Sequence, residues 1–134
     1  MPDTSEPDAS EDDLLALNQQ LLDAIAGGDW TTYQDLCDPS ITCFEPEARG
    51  HLVQGMDFHR FYFDLGPGES PRTTTMASPK VRRMGDVAVV AYVRLVQSLD
   101  DAGAPVTSQY EETRVWERRQ GKWQHVHFHR SRCT

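Results

Sequence analysis

The chain has 134 residues and a formal net charge of −8, with 38% hydrophobic and 25% charged residues; this is enough to bury one sizeable core and too little for two ordinary domains. Acidity of that size repels phosphate backbones and argues against a nucleic-acid partner, and no apolar run reaches the 18 residues of a membrane span. The N-terminal MPDTSEPDASEDD lacks the basic and apolar regions of a signal peptide, and Cys37, Cys43 and Cys133 have no metal-ligand spacing, so a cytoplasmic protein with free thiols and no cofactor is expected.

Residues 1–13 are acidic, carry Pro and Ser and almost nothing apolar, and are expected to form a disordered tail, with a single domain over residues 14–134. From Leu14 the apolar residues Leu17, Leu21, Leu22 and Ile25 recur at spacings of three and four and predict an amphipathic helix, for which Ser10 and Asp13 offer a capping box. Gly27-Gly28 stops it, and Asp29 caps a second helix from Trp30 to about Cys37, ended by Asp38-Pro39. Short extended segments follow, with a third helix over 55–63 between them.

The run GDVAVVAYVRLVQSL is the strongest strand. Its odd positions Val87, Val89, Ala91, Val93 and Leu95 are all apolar, and its even positions are Ala88, Val90, Tyr92, Arg94 and Val96. Two covered faces imply helices on one side and a further layer, such as a second subunit, on the other. The expected class is α+β, with the N-terminal helices packed on a curved antiparallel sheet.

The last segment, EETRVWERRQGKWQHVHFHR, reads as a hairpin. A three-residue turn Arg119-Gln120-Gly121 needs a positive φ only at Gly121, which pairs Arg114 with Val126 and puts Arg114, Trp116, Val126, Phe128 and Arg130 on one face. The other face then carries Thr113, Val115, Trp123, His125, His127 and His129. Arg94, Arg114 and Arg130 thereby converge on one cavity, where permanent cations need carboxylate partners such as Glu111, Glu112 or Asp57, or a bound anion. His125, His127 and His129 form H-x-H-x-H, a spacing that suits metal ligands on a strand; without an acidic residue spaced to hold the imidazoles in place, half-exposed sheet histidines are the favoured reading and no metal is expected.

Two long stretches, EPEARGHLVQGMDFHRFYF (Glu45 to Phe63) and EETRVWERRQGKWQHVHFHRS (Glu111 to Ser131), resemble the association or hub domain of calcium/calmodulin-dependent protein kinase II, as do GDWTTYQDLCDP and AYVRL. The resemblance covers nearly all of the chain beyond the tail. It implies the cone of nuclear transport factor 2 and the polyketide cyclases, and assembly through dimers into a stacked ring that gathers kinase subunits. It implies a cavity lined by Arg94, Arg114 and Arg130 with His59 at its mouth, suited to small carboxylates or acidic peptide groups. Two departures stand out: DLGPGESPRTTT replaces a longer, aromatic-bearing loop, and His125 replaces an aliphatic residue.

The sequence contains no Gly-rich phosphate loop, strand lysine or HRD-type loop of a protein kinase. An oligomeric scaffold is the leading expectation. The alternative is a small-molecule isomerase or cyclase on the same fold, with His59 or Asp57 as base and Tyr92 and the arginines stabilising charge.

Overall fold

A computed structural model describes residues 10–68 and 71–133. Helix α1 (Glu11–Gly27) starts three residues before Leu14, because Ser10 and Asp13 close a reciprocal capping box and the first turn places Glu11, Asp12 and Asp13 at the positive end of the helix dipole. The last residues of the expected tail therefore belong to the helix, and residues 1–9 lie outside the described ones. Gly28, at φ +67°, ends α1 in the left-handed conformation that glycine adopts without a steric penalty. Asp29 caps α2 (Trp30–Leu36) by accepting from the Thr32 amide and hydroxyl.

Strand β1 (Cys37–Phe44) takes in Asp38-Pro39, which was expected as a terminator only. A 3-10 turn (Pro46–Ala48), β2 (Val53–Gln54) and α3 (Asp57–Asp64) follow, and then the long strands β3 (Thr73–Met84), β4 (Val87–Leu99), β5 (Pro105–Arg119) and β6 (Lys122–Arg132). The six strands form one sheet in the order β2-β1-β6-β5-β4-β3. Every pair is antiparallel except β1 with β6; the whole intervening chain supplies the long connection that a parallel pair requires.

The helices pack on one sheet face. Leu14, Leu21 and Leu22 of α1 are fully buried with Tyr33, Ile41, Val90 and Trp116, whereas Leu17 and Ile25, assigned to the same stripe from spacing, are only half-buried. Asn18 occupies the centre of that stripe. Its carbonyl accepts from Trp116 Nε1 at 3.0 Å and its amide lies 3.3 Å from Met76 Sδ, so the polar side chain is satisfied inside the core. On β4 the even positions Ala88, Val90, Tyr92 and Arg94 are buried, while Val87, Val89, Ala91, Val93 and Leu95 are half-buried on the opposite face.

The β5–β6 hairpin departs from expectation in an instructive way. Its turn has two residues, with φ +52° at Gln120 and +77° at Gly121, and Arg119 pairs with Lys122. Trp116 pairs with His125 and Val115 with His127, which leaves Val126 as the extra residue of a β-bulge. The short turn shifts the register by one residue and the bulge shifts it by one more in the same direction, which restores the facing of β6 beyond the bulge but not the expected pairing. Arg114 thus pairs with Phe128, and Glu112 with Arg130. The anticipated face with Arg114, Trp116, Phe128 and Arg130 survives, but Val126 leaves it and His125 joins it.

Candidate functional site

Strand alternation brings the cationic side chains to the inner face. Arg94 arrives from β4, Glu112 and Arg114 from β5, and Phe128 and Arg130 from β6 beyond the bulge. They meet at the end of the sheet covered by α3 and the loop after it, around a cavity of about 520 Å³ lined by Arg94, Arg114, Arg130, His59, Tyr110 and Phe128 among others. That volume is in the range of small-molecule sites. The lining also includes Glu45, Tyr33, Tyr62 and Glu47, the last bonded to Arg130, and the exposed Arg72.

Glu112 lies behind the arginines with its side chain fully buried. Its Oε1 accepts from Arg114 Nη2 at 3.0 Å and from the Tyr92 hydroxyl at 2.7 Å. Its Oε2 is 3.0 Å from Arg94 Nε and 3.6 Å from Arg130 Nε. The first of these contacts is poorly angled and the second too long for a hydrogen bond, so Arg94 Nε, Arg130 Nε and Glu112 Oε2 are buried and paired by charge alone. Burial opposes the Glu112 carboxylate, but Arg114 and Arg94 outweigh it and hold the group below its usual range. For Arg94 burial dominates and lowers the pKa, reinforced by Arg114 and Arg130.

Arg114 is the most constrained of the three. Nε donates to Tyr92 Oη at 2.9 Å, its guanidinium sits 4.4 Å from the Phe128 ring centre, and Nη1 is 3.5 Å from His125 Nε2. An arginine only donates, so His125 Nε2 accepts and Nδ1 carries the proton, directed at Cys37 Sγ 3.4 Å away. Burial and Arg114 keep His125 neutral, with a pKa well below the ordinary imidazole value. Arg130 donates to Glu47 Oε1 at 2.7 Å, and the guanidinium groups of Arg94 and Arg130 lie 5.2 and 4.7 Å from the Tyr110 ring centre.

His59 is 5% exposed, with Nδ1 2.9 Å from Tyr33 Oη and Nε2 3.8 Å from Cys43 Sγ. Burial and then Arg114 lower its pKa to about 4, so it is neutral at pH 7 and a weak base. Arg94, Arg114, Arg130 and His59 therefore meet at one site. The acid–base set of an isomerase does not assemble: Asp57 is exposed at the start of α3, and the Tyr92 hydroxyl is engaged by Glu112 and Arg114 beneath the wall. The histidine triplet does not share a face either. The bulge sends His125 into the core, while His127, 2.7 Å from Thr42 Oγ1, and His129 lie on the outer face. Among the described residues no group of three or more His, Cys, Asp or Glu is placed to hold a metal. Tyr110 and Glu45 were not singled out from the sequence, and Glu112 was named only beside Glu111 and Asp57 as a candidate partner of the arginines. The signal for Glu112 was its parity with Arg114 on β5.

Helices on one face of a curved, mainly antiparallel sheet, with a cavity at one end, define the cone of the nuclear transport factor 2-like class. A superfamily member from Salmonella enterica matches with a TM-score of 0.73 over 92% of this chain and 90% of its own, at 21% identity, a likeness that shows the fold alone. The chain belongs to the calcium/calmodulin dependent protein kinase II association domain family, which matches residues 10–134. It is 52% identical over 126 residues to the delta subunit of rabbit calcium/calmodulin-dependent protein kinase type II, covering 92% of this chain and 24% of that protein. It thus spans about a quarter of that relative's length. The hub homology domain of Chlamydomonas reinhardtii matches at 54% identity with a TM-score of 0.88, over 94% of this chain and all of the other. The association domain of the C. elegans kinase matches at 52% with a TM-score of 0.86, over 90% and 94%. The family is one of association domains, not of kinase catalytic domains. Among the described residues no helix is long and apolar enough to cross a membrane.

Proposed function

We propose that the chain is an oligomerisation scaffold that self-assembles through dimers into a closed, stacked multi-subunit ring, and that its arginine cavity takes up small carboxylates or the acidic groups of a peptide. One observation carries the scaffold reading. Val87, Val89, Ala91, Val93 and Leu95 form a continuous apolar row on the outer face of β4, only half-buried, while α1, α2 and α3 reach the other face through Asn18 with Trp116, Tyr33 with His59, and His59 with Phe128. Such a row gains by removal from water against a like surface, at about 25 cal/mol per Å² of apolar area. Membership of an association-domain family supports the same reading, and the identity to a kinase subunit supports co-assembly with hub-bearing kinase chains. The cavity reading is supported by three guanidinium groups that line one open volume, two of which, Arg94 and Arg130, share Glu112 Oε2 without a hydrogen bond to it.

Multi-angle light scattering at micromolar concentration tests the scaffold. A single species of many chain masses, unchanged on tenfold dilution, is expected. A monomer throughout would refute the reading.

A further inference from the structure

We infer that the cavity is charge-selective, accepting a ligand with one negative charge and disfavouring one with two, and that Glu112, a residue the ligand does not touch, sets this limit together with Glu47. The inference rests on the anion-binding reading above. Three guanidinium groups converge there, and two carboxylates are already paired with them: Glu112 behind the wall, contacting all three, and Glu47 in the wall, bonded to Arg130. The rest of the charged lining, Glu45 and Arg72, adds one charge of each sign, so one positive charge is left in excess. A single anionic group completes the balance, and a second brings an excess negative charge into the same enclosure.

The geometry also divides the arginines by role. Arg114 has all three nitrogens committed, to Tyr92, Glu112 and His125. Arg94 and Arg130 instead rest beside one ring, Tyr110, and are less fully engaged: each turns its Nε to Glu112 Oε2 without a hydrogen bond, and Arg130 Nη1 bonds Glu47. Those two present a paired, pre-oriented donor surface, which one carboxylate fits. Glu45 and Glu47 reinforce the limit: the Glu45 carboxyl is pushed upward by burial and then by Glu47, so this pair resists further negative charge beside it. Arg72 is the remaining cation of the lining; it is exposed, where water screens it, and Glu45 offsets its charge. A second anionic group inside the cavity therefore has no cation reserved for it, a deficit equivalent to about tenfold or more in Kd.

The test compares two probes of one shape and different charge, succinamate (one negative charge at pH 7.5) and succinate (two), by thermal shift and calorimetry of the full chain at constant ionic strength. In the wild type, succinamate is expected to bind about tenfold more tightly than succinate. Glu112→Gln keeps the shape and removes the charge, and Glu47→Gln does the same at the more exposed partner; each is expected to narrow or reverse the ratio. A role confined to stability would lower the melting temperature of either variant and leave the ratio of the two affinities in place. Should Glu112→Gln fail to fold, Glu47→Gln alone decides. Equal binding of both probes to the wild type, or an unchanged ratio in every folded variant, would overturn charge selection while leaving the anion cavity standing. No binding of either probe would refute the anion cavity and the inference with it.

Discussion

Glu112 shows how a residue can organise a site while standing in the sequence only as one of several candidate partners for its arginines. The convergence of Arg94, Arg114 and Arg130 followed from strand parity and from the resemblance, because an arginine in an apolar strand is conspicuous. A glutamate between Glu111 and Thr113 is not, and its burial becomes apparent only once the register sets it opposite both Tyr92 and Arg130. His125 was misplaced for a related reason: alternation put it with His127 and His129, and the bulge at Val126 cancels alternation locally. The two buried histidines have a measurable consequence. His59, with a pKa near 4, and His125, also lowered, stay neutral in the fold while the unfolded chain protonates near 6.5. The unfolded state thus binds more protons between pH 6.5 and 4, and stability drops as pH is lowered across that window, by up to about 1.4 kcal/mol per pH unit for each histidine. Glu112 has the depressed carboxylate pKa; its contribution is present above the usual carboxylate range and is lost only as pH falls through the lower folded value. Denaturant midpoints at fixed protein concentration should be flat above pH 7 and decline below 6.5, with a shallower decline in His125→Leu. A flat profile down to pH 4.5 would contradict this.

Elements with strong periodicity were read well and their ends less so. Helix α1 and strand β4 carry long repeats, and both appear where expected. The start of α1 shifted from Leu14 to Glu11 because a capping box sets the first turn by side-chain hydrogen bonds, whatever its apolar content. The β5–β6 turn was misjudged on the premise that Gln120 would avoid positive φ. The hairpin accepts φ +52° there because a two-residue turn of this hand matches the strand twist. Both features predict stability changes. Gln120→Asn supplies a residue that tolerates the left-handed region and should stabilise by about 0.5 kcal/mol. Ser10→Ala removes the acceptor of the Asp13 amide and should destabilise by about 1 kcal/mol. Chemical denaturation of the two variants checks both signs, and a destabilised Gln120→Asn would show that the Gln side chain has a role beyond the turn.

For the whole molecule, the cone and its cavity account for one face of the sheet, and the proposed self-assembly would account for the other. Two covered faces were anticipated from β4 because both its parities are apolar; the fold fills one with helices and leaves Val87 to Leu95 half-buried. The number of chains was not legible, since closure depends on small interface angles that residue types do not encode. The most direct measurement is native mass spectrometry of the wild type beside Val89→Glu, which sets a charge in the middle of the outer row without touching the inner core. The wild type should give one dominant, even-numbered assembly, and the variant, with a melting temperature showing that it still folds, should collapse to smaller species. A monomeric wild type, or a folded Val89→Glu with the same mass distribution, would contradict assembly through this face.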